Sequence, residues 1–153
     1  MLKKIATGML LSCLAGCGTP QVHNTPSGKV EEVFNGTPDQ IKGPLVGMMA
    51  TNGFNMTKDS PYLLAFEKPI DNMMTTVLLG SRYDAVPNAR VSFIFAPLGA
   101  TTRVIADTSI VTNPGSAFER ITPANNNEAT GKLQDWLDYL ARTASGPEVK
   151  PGF

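Results

Sequence analysis

Residues 132–143 read KLQDWLDYLART, and the prediction of the fold depends most on this segment. Its large apolar residues follow the helical spacing i, i+3, i+4 and i+7, at Leu133, Trp136, Leu137 and Leu140. The charged residues lie largely on the other side of the same helix, at Lys132, Asp135, Asp138 and Arg142. A helix with one apolar and one charged face packs on another layer. We therefore predict an amphipathic helix over about 127–143 that packs on a sheet.

The sheet is predicted from the residues that precede this helix. Over 90–96 the chain alternates, with Val91, Phe93 and Phe95 on one face. Residues 101–112 are rich in Val, Ile and Thr, which favour strands. The turn Pro97-Leu98-Gly99 joins the two segments, so we predict a hairpin.

Three earlier segments are also predicted to be extended. Residues 54–57 and 62–67 flank turn residues at 58–61. Residues 73–83 are ambiguous between strand and helix, and the β-branched residues in their middle favour a strand. An irregular loop is expected between about 113 and 125.

The domain is predicted to open with a strand, which a first helix follows before these segments. Thr37 is the expected N-cap, Pro38 the first helical residue and Gln40 the third, which is the pattern of a capping box. Asn52-Gly53 supplies a C-cap. Pro44 lies inside the helix and predicts a kink or a short first segment.

The element order predicts an α+β fold. We expect an antiparallel sheet of about four to five strands, with an N-terminal helix and a long C-terminal amphipathic helix packed on it. The chain has 153 residues, which suits one domain, placed at 29–144. This order loosely resembles the helix-grip domains of lipoproteins in the bacterial outer-membrane barrel-assembly machinery. A two-layer sandwich fits nearly as well.

The N-terminus has the features of a targeting segment. Lys3 and Lys4 precede an apolar run from Ile5 to Leu14, which is too short to cross a bilayer because a spanning helix needs about 20 residues. The run ends in Leu14-Ala15-Gly16-Cys17. This tetrapeptide resembles the lipobox of bacterial lipoproteins.

The resemblance implies that residues 1–16 are a lipoprotein signal peptide. Cys17 then becomes the new N-terminus and carries a diacylglycerol and an acyl chain such as palmitate. Gly18 favours the periplasmic face of the outer membrane, or the cell membrane if the organism has only one. Residues 17–28 are expected to be a flexible tether, and residues 145–153 a disordered tail.

Several kinds of chemistry are excluded by what the mature chain lacks. Removal of Cys13 and lipidation of Cys17 leave no thiol for a nucleophile, a disulfide or a metal site. His23 is the only histidine, and as an incidental residue of the tether it supports neither a catalytic triad nor a zinc site. The carboxylates show no catalytic spacing. We predict no catalytic activity, no metal and no cofactor.

Nucleic acid is not an expected partner. Thirteen basic residues balance thirteen acidic ones, whereas nucleic-acid binding depends on an excess of Lys and Arg.

Two polar clusters supply candidate contacts with a ligand or partner. Arg82 and Tyr83 belong to the densest cluster, 81–84, where the alternative is a surface ion pair. Phe118 and Arg120 form a second patch, although Phe118 could instead fill the seam between sheet and helix. Trp136 is expected in the core rather than as a ligand platform.

The methionines leave two interpretations open, an adaptable apolar surface or core filling. These are Met48, Met49, Met56, Met73 and Met74.

Two functions remain open at this point. The first is a lipid-anchored structural or accessory subunit of an envelope assembly, which should expose a contiguous apolar patch to its protein partners. The second is a periplasmic carrier of a small ligand or lipid, bound in a groove between the sheet and the C-terminal helix. A carrier should contain an apolar pocket of about 300 Å³ or more.

Overall fold

The computed structural model describes residues 23–70, 86–125 and 128–144. It confirms the α+β fold with an N-terminal and a C-terminal helix. The elements in chain order are β1 (Val30–Asn35), α1 (Pro38–Thr51), β2 (Asn55–Ser60), β3 (Leu63–Pro69), β4 (Asn88–Leu98), β5 (Thr101–Thr112), β6 (Arg120–Pro123) and α2 (Glu128–Ala144).

The strands form one antiparallel sheet in the order β1-β5-β4-β3-β2. The short strand β6 pairs with the last four residues of β5, beyond the stretch that pairs with β1. The predicted hairpin is present as β4 and β5, with Gly99 at a positive φ of 74° in its turn. This long hairpin is the centre of the sheet.

The core lies between one face of the sheet and the two helices. Val91, Phe93 and Phe95 are buried, as their alternation predicts. Phe93 meets Phe66 of β3 edge to face, with ring centroids 6.0 Å apart. On α2 the predicted apolar face is also confirmed, since Leu133 and Leu137 are buried and Trp136 and Leu140 pack half-buried against the core.

The first helix begins and ends where its capping residues predict. Gln40 Oε1 accepts a hydrogen bond of 2.8 Å from the Thr37 amide, which is one half of a capping box. After the last turn, Gly53 has a φ of 79° and the Phe54 amide donates to the Met49 carbonyl. Pro44 lies inside a helix that runs from Pro38 to Thr51, so the expected short first segment is not formed.

Two predictions about strands were wrong, and both concern polar edges. Residues 58–60, predicted as a turn, belong to β2, and the turn is formed by Pro61 and Tyr62. The loop predicted over 113–125 contains β6. Both strands are mostly exposed, and they are held by backbone pairing to a neighbour rather than by an apolar face. Within the described residues the sheet therefore has six strands, one more than the four to five expected.

Other sequence predictions lie outside the described residues. They are the signal peptide 1–16, the lipidated Cys17, the segment 73–83 with Met73, Met74, Arg82 and Tyr83, and the tail 145–153.

Candidate functional site

An apolar cavity of about 370 Å³ lies between the end of α1, the first half of α2 and strands β4 and β5. Most of the described residues that line it are apolar, namely Met49, Phe54, Ile70, Ala89, Val91, Ile110, Ala124, Ala129, Leu133 and Trp136. The polar ones are Arg90, Thr108, Ser109 and Lys132. Its size and lining are those of a small-molecule pocket.

Strand register builds the floor of the cavity. Ala89 of β4 pairs with Ile110 of β5, and Val91 pairs with Thr108. These four residues share the sheet face that carries the buried Phe93 and Phe95, because alternate residues of a strand face the same way. The methyl group of Ala89 leaves space where a larger side chain would meet α2.

The helix α2 supplies one wall and the rim. Leu133 and Trp136 lie one turn apart and both line the cavity, whereas Ala129 and Lys132 are solvent-exposed lining residues. The ammonium group of Lys132 is 2.9 Å from Glu128 in an exposed pair of the i,i+4 type. Such an exposed ion pair is weak, so the ammonium group of Lys132 can instead pair with an anionic group of a ligand at the rim.

The polar chemistry of the cavity is sparse. The hydroxyl of Thr108 donates to the Ala124 carbonyl over 2.9 Å and is thus committed to the fold. The described lining contains no carboxylate, histidine or thiol. Across the described residues, no cluster of His, Cys, Asp and Glu could hold a metal ion. This arrangement suits the binding of an apolar group.

Trp136 also borders a second depression, of about 360 Å³, between the two helices. It is lined by Pro44, Gly47, Met48, Thr51, Asn52, Tyr139 and Leu140. Gly47 has no side chain, and the position that a Cβ would take is open space with no atom within 4 Å. The depression therefore stays open at this residue. The indole is therefore both part of the core and a wall of the cavity, so the prediction of a purely core role was too narrow.

The methionines with described positions divide between the two interpretations. Met49 is fully buried in the core and lines the cavity, Met48 is half-buried, and Met56 is exposed on β2.

Arg90, which also borders the cavity, joins two carboxylates that the sequence did not pair. Its Nη2 lies 2.6 Å from Glu67 Oε1 and 3.1 Å from Glu119 Oε1. The second oxygen of Glu119 accepts a hydrogen bond of 2.9 Å from the Gly115 amide. This network ties the loop 113–119 to the sheet, and its role is structural.

The same contacts shift two pKa values. Chiefly the Gly115 amide, and then the Arg90 side chain, hold the pKa of Glu119 below its usual range. Burial acts to lower the pKa of Arg90, but the hydrogen bonds and charges of Glu67 and Glu119 outweigh it and raise that pKa. Both groups are therefore kept charged in the folded protein.

Phe118 does not fill the seam between sheet and helix. Its side chain is 82% exposed, because the neighbouring Glu119 is the residue that turns towards the sheet. Arg120 is exposed as well. These two candidate contacts thus remain accessible, Phe118 in the loop and Arg120 at the start of β6, while Arg82 and Tyr83 lie outside the described residues.

His23 departs from the expectation of an incidental tether residue. Its side chain is only 8% exposed, and Nε2 is buried with no hydrogen-bond partner in the described part of the chain. The residues after it form a turn in which the Ser27 amide donates to Glu31 Oε2 over 3.2 Å. The described end of the predicted tether is therefore attached to the domain.

The sequence predicted a groove between the sheet and the C-terminal helix as one of two alternatives, but it did not identify the residues that line the cavity. Ala89 and Ala129 are small lining residues 40 positions apart in the chain, and the packing of α2 on the sheet brings them to the same cavity. No protein-family model and no curated protein matches the chain. None of the described helices is long and apolar enough to cross a membrane.

Proposed function

We propose that this protein is a lipid-anchored protein of the bacterial cell envelope, and that its domain binds the apolar part of a small ligand. The observation that carries the proposal is the apolar cavity of about 370 Å³ between the sheet and α2. It exceeds the volume of about 300 Å³ expected of a carrier. The role is one of binding rather than catalysis.

The energetics of such a cavity favour an apolar chain or ring. Each methylene group that leaves water contributes about 0.8 kcal/mol. Ten of the fourteen described lining residues are apolar, and the Thr108 hydroxyl is committed to the Ala124 carbonyl, so hydrogen bonds supply little selectivity. Lys132 at the rim complements an anionic end group. The ligand class is therefore an amphiphile with an apolar part and a negative or polar end.

The anchor rests on the N-terminal sequence. Two lysines, an apolar run and the tetrapeptide Leu14-Ala15-Gly16-Cys17 occur in the order that lipoprotein precursors have. Several acyl chains on Cys17 bind a bilayer stably, where a single chain binds marginally. The proposed location is the periplasmic face of the outer membrane, with the membrane itself as a partner.

A second candidate function is an accessory subunit of an envelope assembly. It is favoured by apolar residues on the sheet face away from the helices. Ile94 is exposed there beside its cross-strand partner Ile105, and Val33 is exposed on the edge strand β1. A protein partner could cover this outer face.

Purification of the acylated protein from envelopes separates the two functions. Mass spectrometry of the extract identifies small molecules and proteins that accompany it. The Ala89→Phe variant fills the cavity, whereas Ala96→Phe adds the same group on the other face of β4. We expect an amphiphile with the parent and with Ala96→Phe, and none with Ala89→Phe. A protein present in fixed ratio with the parent, lost with Ala96→Phe and with no amphiphile, contradicts the carrier function.

A further inference from the structure

We propose that the loop 113–119 and the adjoining Arg120 contact the surface of the bilayer that holds the lipid anchor. The inference rests on the proposed anchor at Cys17, but not on the proposed cavity ligand. It is carried by the exposure of Phe118, by the position of its loop in the sheet, and by the short length of chain between the domain and Cys17.

The loop presents Phe118 from a fixed base. The Ser116 hydroxyl donates to the Asn113 carbonyl over 2.8 Å, and the Phe118 amide donates to the same hydroxyl oxygen over 3.1 Å. Glu119 is bound to Arg90 and to the Gly115 amide. A side chain 82% exposed on such an ordered loop contributes little to the core, so its apolar surface is available to another molecule.

The chain enters the domain at the end of the sheet that carries this loop. Val30 pairs with Ala106 in antiparallel register, and Lys29 forms an ion pair of 2.8 Å with Asp107. The chain before Val30 therefore leaves β1 on the side towards which β5 continues. The loop begins after Thr112, about 17 Å further along β5.

The chain between the domain and the anchor is short. Five residues separate Cys17 from the buried His23, and the six steps from one Cα to the next span at most about 22 Å. A bilayer that holds the acyl chains of Cys17 consequently lies within that distance of His23. The loop lies at the end of the sheet where the chain enters β1, whereas the turn after Leu98 lies ten residues of β4 away from Asn88, or about 33 Å.

The chemistry of the loop suits an anionic bilayer surface. An aromatic ring and a cationic side chain together favour the interface between lipid headgroups and acyl chains. Residues 113–118 carry no charge, and the carboxylate of Glu119 is turned to Arg90. Repulsion by lipid phosphates is therefore small, and Arg120 is free to approach them.

Contact at this loop would also orient the cavity. Ala89, Ile110 and Ala124 lie at the same end of the sheet, so the cavity would be held near the bilayer surface. An amphiphile could then pass between the membrane and the domain over a short distance.

A site-specific fluorophore tests the contact in the acylated protein. In the mature chain the sulfur of Cys17 is bonded to lipid, so Phe118→Cys introduces the single free thiol. Leu98→Cys is the matched control, because Leu98 is 50% exposed at the opposite end of β4. Each variant is labelled with an environment-sensitive dye and reconstituted into vesicles of equal parts phosphatidylethanolamine and phosphatidylglycerol, with a nitroxide-bearing phospholipid as quencher.

We expect the dye at position 118 to shift its emission to the blue and to be quenched, and the dye at position 98 to show neither change. Equal responses at both positions, or no response at 118, would overturn the proposal. Flotation of the vesicles reports the anchor separately. A protein that floats without quenching at 118 keeps the anchor and loses the loop contact, and a protein that does not float loses both. A dye at 118 that responds to envelope proteins but not to vesicles assigns the loop to a protein partner and also overturns the proposal.

Discussion

The side-chain amide of Gln134 in α2 makes two hydrogen bonds to the backbone of Glu31 in β1. Its Nε2 donates to the Glu31 carbonyl and its Oε1 accepts from the Glu31 amide, each over 3.0 Å. These backbone groups lie on the outer edge of the sheet, where a further strand could otherwise pair. The helix thus covers one edge and is fixed in position beside the cavity that it helps to form.

Replacement of Gln134 by leucine should destabilise the domain by about 1–3 kcal/mol. The substitution keeps the side-chain volume but leaves the amide and carbonyl of the buried Glu31 unpaired. Urea unfolding measures the change. Asp135→Ala on the exposed face is the control and should cost less than about 0.5 kcal/mol. Equal effects of the two substitutions would show that Gln134 does not hold the edge.

Loss of the Glu119 carboxylate should alter how stability depends on pH. The pKa of Glu119 is lower in the folded protein than its unfolded value of about 4.3. Its charged form therefore adds stability that is present above about pH 4.3 and is lost as the pH falls through the folded pKa. The urea midpoint of Glu119→Gln should lie below that of the parent at neutral pH, and the gap should close in acid. A gap that stays constant down to about pH 3 would contradict this.

Phe118 and Phe93 should respond very differently to replacement by alanine. Phe93 is fully buried against Phe66, so its truncation should cost about 3–5 kcal/mol. Phe118 is exposed, so its truncation should change stability by less than about 0.5 kcal/mol. Thermal unfolding of both variants checks the pair. A large loss from Phe118→Ala would restore the interpretation of Phe118 as a plug of the seam.

The lipid anchor predicts that Cys17→Ser abolishes acylation. Cys17 is the last cysteine of the chain and directly follows the proposed cleavage site after Gly16. A precursor without this thiol has no acceptor for the diacylglycerol and is not processed. Metabolic labelling with a fatty-acid probe measures the effect, and Cys13→Ser serves as a control that should still be labelled. Equal labelling of the Cys17→Ser variant would refute the anchor.

Local patterns predicted those parts of the fold that depend on neighbouring residues. The caps at Thr37 and Gly53 bounded α1, and the spacing of Leu133 and Leu137 identified the buried face of α2. Such signals arise within one or two turns of chain, so no tertiary information is needed.

Features that depend on distant contacts were missed. The edge strands β2 and β6 are polar, and only their pairing with β3 and β5 shows that they are strands. The cavity is lined by Ala89 of β4 and Ala129 of α2, which come together only when α2 packs on the sheet. Phe118 is exposed while its neighbour Glu119 pairs with Arg90, a residue 29 positions away in the chain.

An energy-transfer titration tests most directly whether the cavity beside Trp136 binds an apolar ligand. Trp136 is the single tryptophan of the chain and lines the cavity. A shortened protein that begins at Gly18, and so lacks Cys17 and its lipid, is titrated with N-phenyl-1-naphthylamine while the indole is excited. We predict saturable transfer to one bound naphthyl ring for the parent and for Ala96→Phe, and at least about ten-fold weaker binding for Ala89→Phe, in which the cavity is filled. Equal titrations of all three proteins, or no transfer in any of them, would contradict the claim.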